Sequence, residues 1–399
     1  MIKPKDRASR LIDMTRLELF ALALPLMGCV APNAVRHGTQ RVEPRGHHVA
    51  VSPPVHRPPR VAEMHAGILD QCALMTDGTV RCWGRNGDGR LGDGTDIDRE
   101  APTPVVDASD IVRLAIGASA GWGVRRDGTV LFWGNDNLAW TIDPEMRLHH
   151  SHRATPVRGL DDIVSVAAGD ESACAISRRG TLSCLGYNRF GQLGAGVLTP
   201  IQGASVVAGL PAVRSVAVGL SHACAVDEHG RVWCWGANDH GQLGSRPSAP
   251  VARPTLVEGV EDAVQIAAGR NETCTLDARG GVWCWGENLS GEIGIGRTSE
   301  WEPPSRVDLA PAVAIAVGGQ HACAIARNRV AWCWGDNGFA QVATNVLGGP
   351  HPLPVQVDYA RDVVSISAAG DDTCVMTAQD EILCVGAPNI GVRRYSSTL

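Results

Sequence analysis

The stretch Cys224-Ala-Val-Asp-Glu-His-Gly-Arg-Val-Trp-Cys234-Trp-Gly236, followed by Ala237-Asn238-Asp239-His240-Gly241-Gln242-Leu243-Gly244, decides the fold. It returns at Cys72 and Cys82, Cys174 and Cys184, Cys274 and Cys284, Cys323 and Cys333, and Cys374 and Cys384. A seventh copy around Trp122 and Phe132 has neither cysteine. The second-cysteine positions fall at 82, 132, 184, 234, 284, 333 and 384. A fixed period near fifty residues marks one supersecondary unit repeated around a shared core. In the fourth copy Val213-Arg-Ser-Val-Ala-Val218 alternates and ends on Gly219, Cys224 to Val226 and Val232 to Trp235 form hairpin arms, and Gly236 to Gly244 forms a Gly-rich loop. Short β-branched and aromatic runs bounded by Gly, Asn and Asp are strands and turns. Three or four strands, seven times over, predict an all-β, seven-bladed β-propeller spanning residues 53–399.

The hairpin fixes a pairing. Thr76-Asp77-Gly78 predicts a three-residue loop, a type I turn closed by Gly in the left-handed region. Counting back from Met75 opposite Thr79 puts Cys72 opposite Cys82 at a non-hydrogen-bonded site, where α-carbons approach to about 4.5 Å and a disulfide fits. Gly holds this turn position at 78, 128, 180, 230 and 280, whereas Arg329 and Asp380 replace it, so those two turns are expected to differ. Six such pairs (Cys72 with Cys82, Cys174 with Cys184, Cys224 with Cys234, Cys274 with Cys284, Cys323 with Cys333, Cys374 with Cys384) read as a disulfide framework and an oxidising compartment. Reduced, buried cysteines are the competing reading.

Cys29 is left without a partner. Residues 1–29 have a cationic start and the apolar run Leu19-Phe-Ala-Leu-Ala-Leu-Pro-Leu-Met-Gly28 before it. About ten apolar residues are too few to span a bilayer and suit an export signal. Leu26-Met27-Gly28-Cys29 resembles a bacterial lipobox, which implies lipidation of Cys29. Met27 departs from the usual small residue, and Asp13 and Glu18 interrupt the cationic region, the former disappearing if translation starts at Met14. An outer-membrane lipoprotein facing periplasm or surface is therefore expected, with simple secretion as the alternative. Residues 30–52, rich in Pro, Arg, His and Val without apolar periodicity, read as a flexible tether.

Formal charge is −6, and residues 1–29 contribute +2 of it, so the remainder carries −8. No basic face for a phosphate backbone is evident, and nucleic acid is not expected as a partner. Nor does any catalytic motif or cofactor signature appear; the Gly-rich strings are turns. One position varies while its surroundings repeat: Asp70, Ala120, Ser172, His222, Glu272, His321 and Asp372, two residues before the first cysteine position. These side chains satisfy backbone groups of their own blades, or, at equivalent radii on a common rim or the channel mouth, His222, Glu272, His321 and Asp372 form a weak cation or polar-ligand site. The second copy is the outlier. It lacks the Gly-Gln-Leu-Gly string and runs through Trp140, Met146, Arg147, His149, His150 and His152; Trp140, Met146 and Arg147 are residue types that serve partner contacts.

The string His222 to Gly244, with its copies ending Gly89-Arg-Leu-Gly92, Gly191-Gln-Leu-Gly194 and Gly291-Glu-Ile-Gly294, resembles the repeat of the regulator of chromosome condensation family. The match covers about residues 54–390. It implies a seven-bladed propeller closed by a strand from one terminus completing a blade begun at the other, for which Pro54-Val55 are placed. The founding eukaryotic member exchanges guanine nucleotide on a GTPase, and exported bacterial members include a propeller that covers β-lactamases with one face. The expectation is an exported, non-catalytic platform for a protein partner at the cell envelope. Its alternatives are an envelope hydrolase or lyase working at the central channel, and a nucleotide exchange factor.

Overall fold

Each fifty-residue unit folds as an antiparallel meander with its strands paired in chain order. The computed structural model describes residues 58–135, 150–342, 348–387 and 392–396. In blade 1, β1 (Val61–Ala66), β2 (Asp70–Met75), β3 (Val80–Gly84) and β4 (Arg99–Pro104) form the sheet. The same four-stranded order repeats over 111–156, 163–206, 213–256, 263–306, 312–356 and 363–396, giving seven blades and no helix among the described residues. First strands line a central channel. Outer strands are open edges, and most carry proline, as in Arg99–Pro104, Ser248–Leu256, Ser299–Arg306 and His351–Gln356, which blunts edge pairing.

The core lies between blades. One cluster joins Cys174, Ile176, Leu182 and Cys184 of blade 3 to Val213, Val216 and Trp235 of blade 4, and the pattern recurs around the ring. Tryptophan after the second cysteine reaches backwards: Trp235, Trp285 and Trp334 donate Nε1–H to the carbonyls of Gln192, Gln242 and Glu292 in the preceding blade, at 2.8, 3.0 and 2.7 Å. A buried indole needs such a partner, and here that need fixes one blade against the next.

Cys72 stands opposite Cys82. The same register sets Cys174 opposite Cys184, Cys224 opposite Cys234, Cys274 opposite Cys284, Cys323 opposite Cys333 and Cys374 opposite Cys384. All six pairs have α-carbons 4.1 Å apart and sulfurs at bonding distance. Each pair lies within one hairpin, so it staples a blade to itself and joins no blade to its neighbour. In blade 2, Trp122 and Phe132 fill the equivalent site edge to face, with centroids 4.8 Å apart.

The turns of the last two hairpins do not differ from the rest. Arg329 and Asp380 take the left-handed conformation at φ 64° and 63°, with Arg329 N–H on Ala326 O and Asp380 N–H on Thr377 O, as Gly78 N–H bonds Met75 O. Tertiary pairing of the hairpin overrides the preference of a side-chain-bearing residue. That conformation costs a non-glycine residue about 1 kcal/mol, partly offset by the stiffer unfolded chain. Arg329→Gly is thus expected to raise the unfolding midpoint, and an unchanged or lowered midpoint would contradict the assignment. Asp380 is less suited to this test because it pairs with Arg60 at 2.6 Å.

Blade 7 draws its outer strand, Arg393–Ser396, from its own end of the chain, so the strand exchange implied by the resemblance is not seen among the described residues. Pro54 and Val55 lie outside them, as do residues 1–29, the tether and Cys29. Blades 7 and 1 meet through Ala66 N–H on Ser367 Oγ (2.9 Å), Gln71 Nε2 on Asp372 Oδ2 (3.2 Å) and the Trp83–Tyr395 ring pair (5.1 Å).

Candidate binding face

Antiparallel strands send the first-to-second and third-to-fourth connections of every blade to one face, and the tight hairpin turns to the other. On the first of these faces the inner connections crowd the channel. A Cβ on Gly117, Gly169, Gly219 or Gly269 would overlap the carbonyl oxygen of Gly169, Gly219, Gly269 or Gly318 in the next blade. These glycines bring the backbones of blades 2 to 6 into close approach, and sequence reasoning missed this, although a Gly following each first strand was the available signal. The channel inside encloses about 650 Å³. Its lining includes Leu114, Val166, Val216, Ile266 and Ile366, with Asp170, Arg270 and Asp371 at the mouth. Burial raises the Asp170 and Asp371 carboxyls, and the Arg270 guanidinium opposes that rise in both.

The variable polar position does not reach this mouth. Asp70, Ser172, His222, Glu272, His321 and Asp372 are all buried, none lines the channel, and no group of three or more metal-ligand side chains forms among the described residues. Asp70 and Glu272 keep to their own blades, Glu272 accepting Asn271 N–H at 3.0 Å, as the own-blade reading expects, whereas His222, His321 and Asp372 reach the neighbouring blade. His222 Nε2 meets Thr273 Oγ1 of the next blade at 2.8 Å, and that hydroxyl donates to Gln242 O at 3.1 Å. His321, Thr373 and Gln341 O repeat the relay at 2.8 Å for both bonds. Since the threonine donates its proton to a carbonyl, it must accept from histidine, which fixes the Nε2–H tautomer. Burial lowers both histidines to about 4, so they stay neutral. Asp372 takes bonds from Gln71 and from Arg393 (2.7 Å), and Asp70 lies 3.9 Å from Arg90. Burial nonetheless pushes both carboxyls up to about 7. Glu272, buried beside Glu292, is raised well above its ordinary range. The two histidines and Asp372 thus bolt blade to blade.

The outer connections are rigid frames with two free slots. Asn238 is fully buried; its Oδ1 accepts from Leu243 N–H (3.1 Å) and its Nδ2 donates to Arg246 O (2.9 Å). Asn86, Asn188, Asn288 and Asn337 hold Leu91, Leu193, Ile293 and Val342 in the same way. Gln242 Oε1 accepts from His240 N–H at 2.9 Å, closing the loop on itself. Between this Asn and the next structural glycine the chain is free to vary. There stand Phe190, Leu289 and Phe339, with exposures of 43%, 55% and 42%, and Leu198 follows in the same blade-3 loop at 59%. Blades 3, 5 and 6 thus present apolar anchors from rigid loops on one face, the composition and rigidity expected of a protein-contact surface. Sequence reasoning overlooked them because the slots sit inside a motif read as turn. Trp140, Met146, Arg147 and His149 fall between the third and fourth strands of blade 2, outside the described residues; His152, in the fourth strand, pairs with Asp96 of blade 1.

The family model described as the RCC1-like domain matches residues 27–322, and that of the regulator of chromosome condensation (RCC1) repeat matches 312–341. The chain is similar to the ultraviolet-B receptor UVR8 of Arabidopsis thaliana, 31% identical over 150 residues, which is 35% of this chain and 32% of that protein. It is similar as well to the mitochondrial RCC1 domain-containing protein RUG3 of the same plant, 30% identical over 146 residues, 36% of this chain and 32% of that protein. The matches thus span about a third of the length of these curated relatives. Among solved structures, human WBSCR16 superposes with a TM-score of 0.70 at 21% identity, covering 78% of this chain and 85% of that one. Yeast RCC1 (Prp20) bound to Kap60 gives 0.68 at 20%, covering 77% and 78%. At these identities the structural likeness carries the fold.

Proposed function

The chain belongs to the RCC1-like domain family, and on that premise we propose that it is a non-catalytic propeller that binds a protein partner through its outer-loop face at the cell envelope. The observation that carries the reading is the set of exposed Phe190, Leu198, Leu289 and Phe339 on loops whose backbones are locked by buried asparagine. Protein binding has precedent in the fold, since yeast RCC1 was solved with Kap60 bound. Export and anchoring through Cys29 rest on the apolar run and lipobox-like string before it. An oxidising compartment agrees with six cysteine pairs at bonding distance.

Three experiments test this. Envelope extract passed over the tethered full chain should yield a partner that a Phe190→Ser, Leu198→Ser, Phe339→Ser triple variant fails to capture; capture by the triple variant would refute the face. Recovery in the membrane fraction should be lost on Cys29→Ser. Reduction of the purified protein should add about 12 Da, two hydrogens for each of six bonds, and an unchanged mass would remove the argument for an oxidising compartment.

A further inference from the structure

At four interblade junctions a residue of the outer strand lies over the first glycine of the preceding blade's Gly-x-Leu-Gly-type loop. His152 covers Gly89, Ala252 covers Gly191, Pro352 covers Gly291, and Trp301 covers Gly241. The blade 4–5 junction alone among these carries an indole, and there the surface opens into a groove of about 570 Å³. Trp301 forms one wall, exposed Leu289 stands at the rim, and Asp239 and Glu300 line it. Behind them Glu287 holds His240, with Oε1 3.3 Å from Nδ1 and the other oxygen accepting from Asn271 Nδ2 at 3.1 Å. Asp239 is held in turn by Gln242 Nε2 at 3.1 Å. Asp239 and Glu287 are therefore placed in advance of any ligand, and Glu300 stands exposed at the wall. Arg246, which is exposed, is the groove's one guanidinium, and His240 lies 3.6 Å from Asp239 as well as against Glu287, so three carboxylates at or behind the wall face one permanent cation and one imidazole.

We propose that this groove receives a basic side chain, arginine or lysine, from the protein partner, with the side-chain stem against Leu289 and the cation on the Trp301 face between Asp239 and Glu300. The proposal rests on the protein-binding reading above and adds the chemistry of one anchor. An aromatic face flanked by carboxylates attracts a desolvating cation through both the ring quadrupole and charge. The net charge of −6 favours approach of a basic surface.

The probe is acetyl-Gly-Arg-Gly-amide, with its lysine and citrulline counterparts, added to the full chain and read by saturation-transfer NMR at about 5 mM, a concentration suited to a single-side-chain anchor. Transfer to the arginine or lysine methylenes is expected with the wild-type chain. It should fall about fivefold in Trp301→Ala and in the Asp239→Asn, Glu300→Gln double variant, the change that loss of roughly 1 kcal/mol from a cation–aromatic or charge contact gives. Citrulline, which has the shape of arginine without the charge, should show no transfer. Equal transfer from citrulline, unchanged transfer in Trp301→Ala, or no transfer from either basic peptide would overturn the proposal. The partner capture separates the two readings. A partner retained by Trp301→Ala but lost by the Phe190, Leu198, Phe339 variant refutes the basic anchor and leaves the face standing.

Discussion

Gly169→Ala is expected to destabilise the propeller by about 3 kcal/mol or more, at the upper end for overpacking, because nothing at that site can yield. Its new methyl group would overlap the Gly219 carbonyl oxygen, and Val218 Cγ1 lies 2.7 Å from the same position. A flexible side chain could rotate away, but these neighbours are backbone and a β-branched residue in the first strand of the next blade. That strand is held in turn by Gly219 against Gly269, and the next by Gly269 against Gly318. Relief must come from moving a whole blade, which opens an interblade core. Gly209→Ala is the matched control. Nothing lies within 4 Å of its Cβ, and its φ of 86° predicts only backbone strain, about 1 kcal/mol. Denaturant midpoints with disulfides intact should therefore fall much further for Gly169→Ala than for Gly209→Ala. Equal losses would mean that the glycine contacts are not the tight point between blades.

The blade count, strand order and hairpin register were legible because each depends on local spacing. A fifty-residue period counts blades, and a three-residue turn with a left-handed third position fixes which residues face each other across the hairpin. Cys284, Cys333 and Cys384 meet Cys274, Cys323 and Cys374 for that reason alone. Even Arg329 and Asp380 obey that geometry against their own preferences, which is where a propensity argument failed. Side-chain direction was not legible. The residues at 222, 272, 321 and 372 were expected to crowd the channel mouth because they share a radius, but they begin second strands, and it is the first strand of each blade that borders the channel. The side chains of His222 and His321 turn toward the next blade, where Thr273 and Thr373 wait, and only the packing of adjacent blades reveals those partners. The exposed anchors were hidden for a related reason. Phe190 and Phe339 look like interruptions of a turn until the buried asparagine beside each shows that the loop is a fixed frame.

That frame also makes Glu292 a pH-dependent weak point, and Glu292→Gln should remove it. Glutamine occupies the same loop position in blades 4 and 6, accepting a backbone N–H through Oε1 and donating Nε2–H to Asp239 and Asp336 at 3.1 and 2.8 Å. Glu292 keeps the first half, with Oε2 accepting from Ser290 N–H at 2.8 Å, but its buried Oε1 has no hydrogen-bond partner. Burial pushes its carboxyl up to about 7, and Glu287 and Asp336 add to the rise. A raised carboxyl is neutral in the folded chain while the unfolded chain ionises near its ordinary 4.5. Its contribution is whole below pH 4.5 and is lost progressively as pH rises through 7, amounting to about 3 kcal/mol for a shift of this size. The wild-type curve alone does not isolate this, because Asp70, Asp372 and Glu272 are raised as well and act in the same sense, while His222 and His321, lowered to about 4, act in the opposite sense over the same range. The difference between variant and wild type isolates it. At pH 5 the two should unfold at similar denaturant concentrations, and by pH 8 Glu292→Gln should be the more stable by a margin approaching that figure. A difference that stays flat with pH, or one that favours wild type at pH 8, would show that Glu292 is not held as the neutral acid that this loop requires.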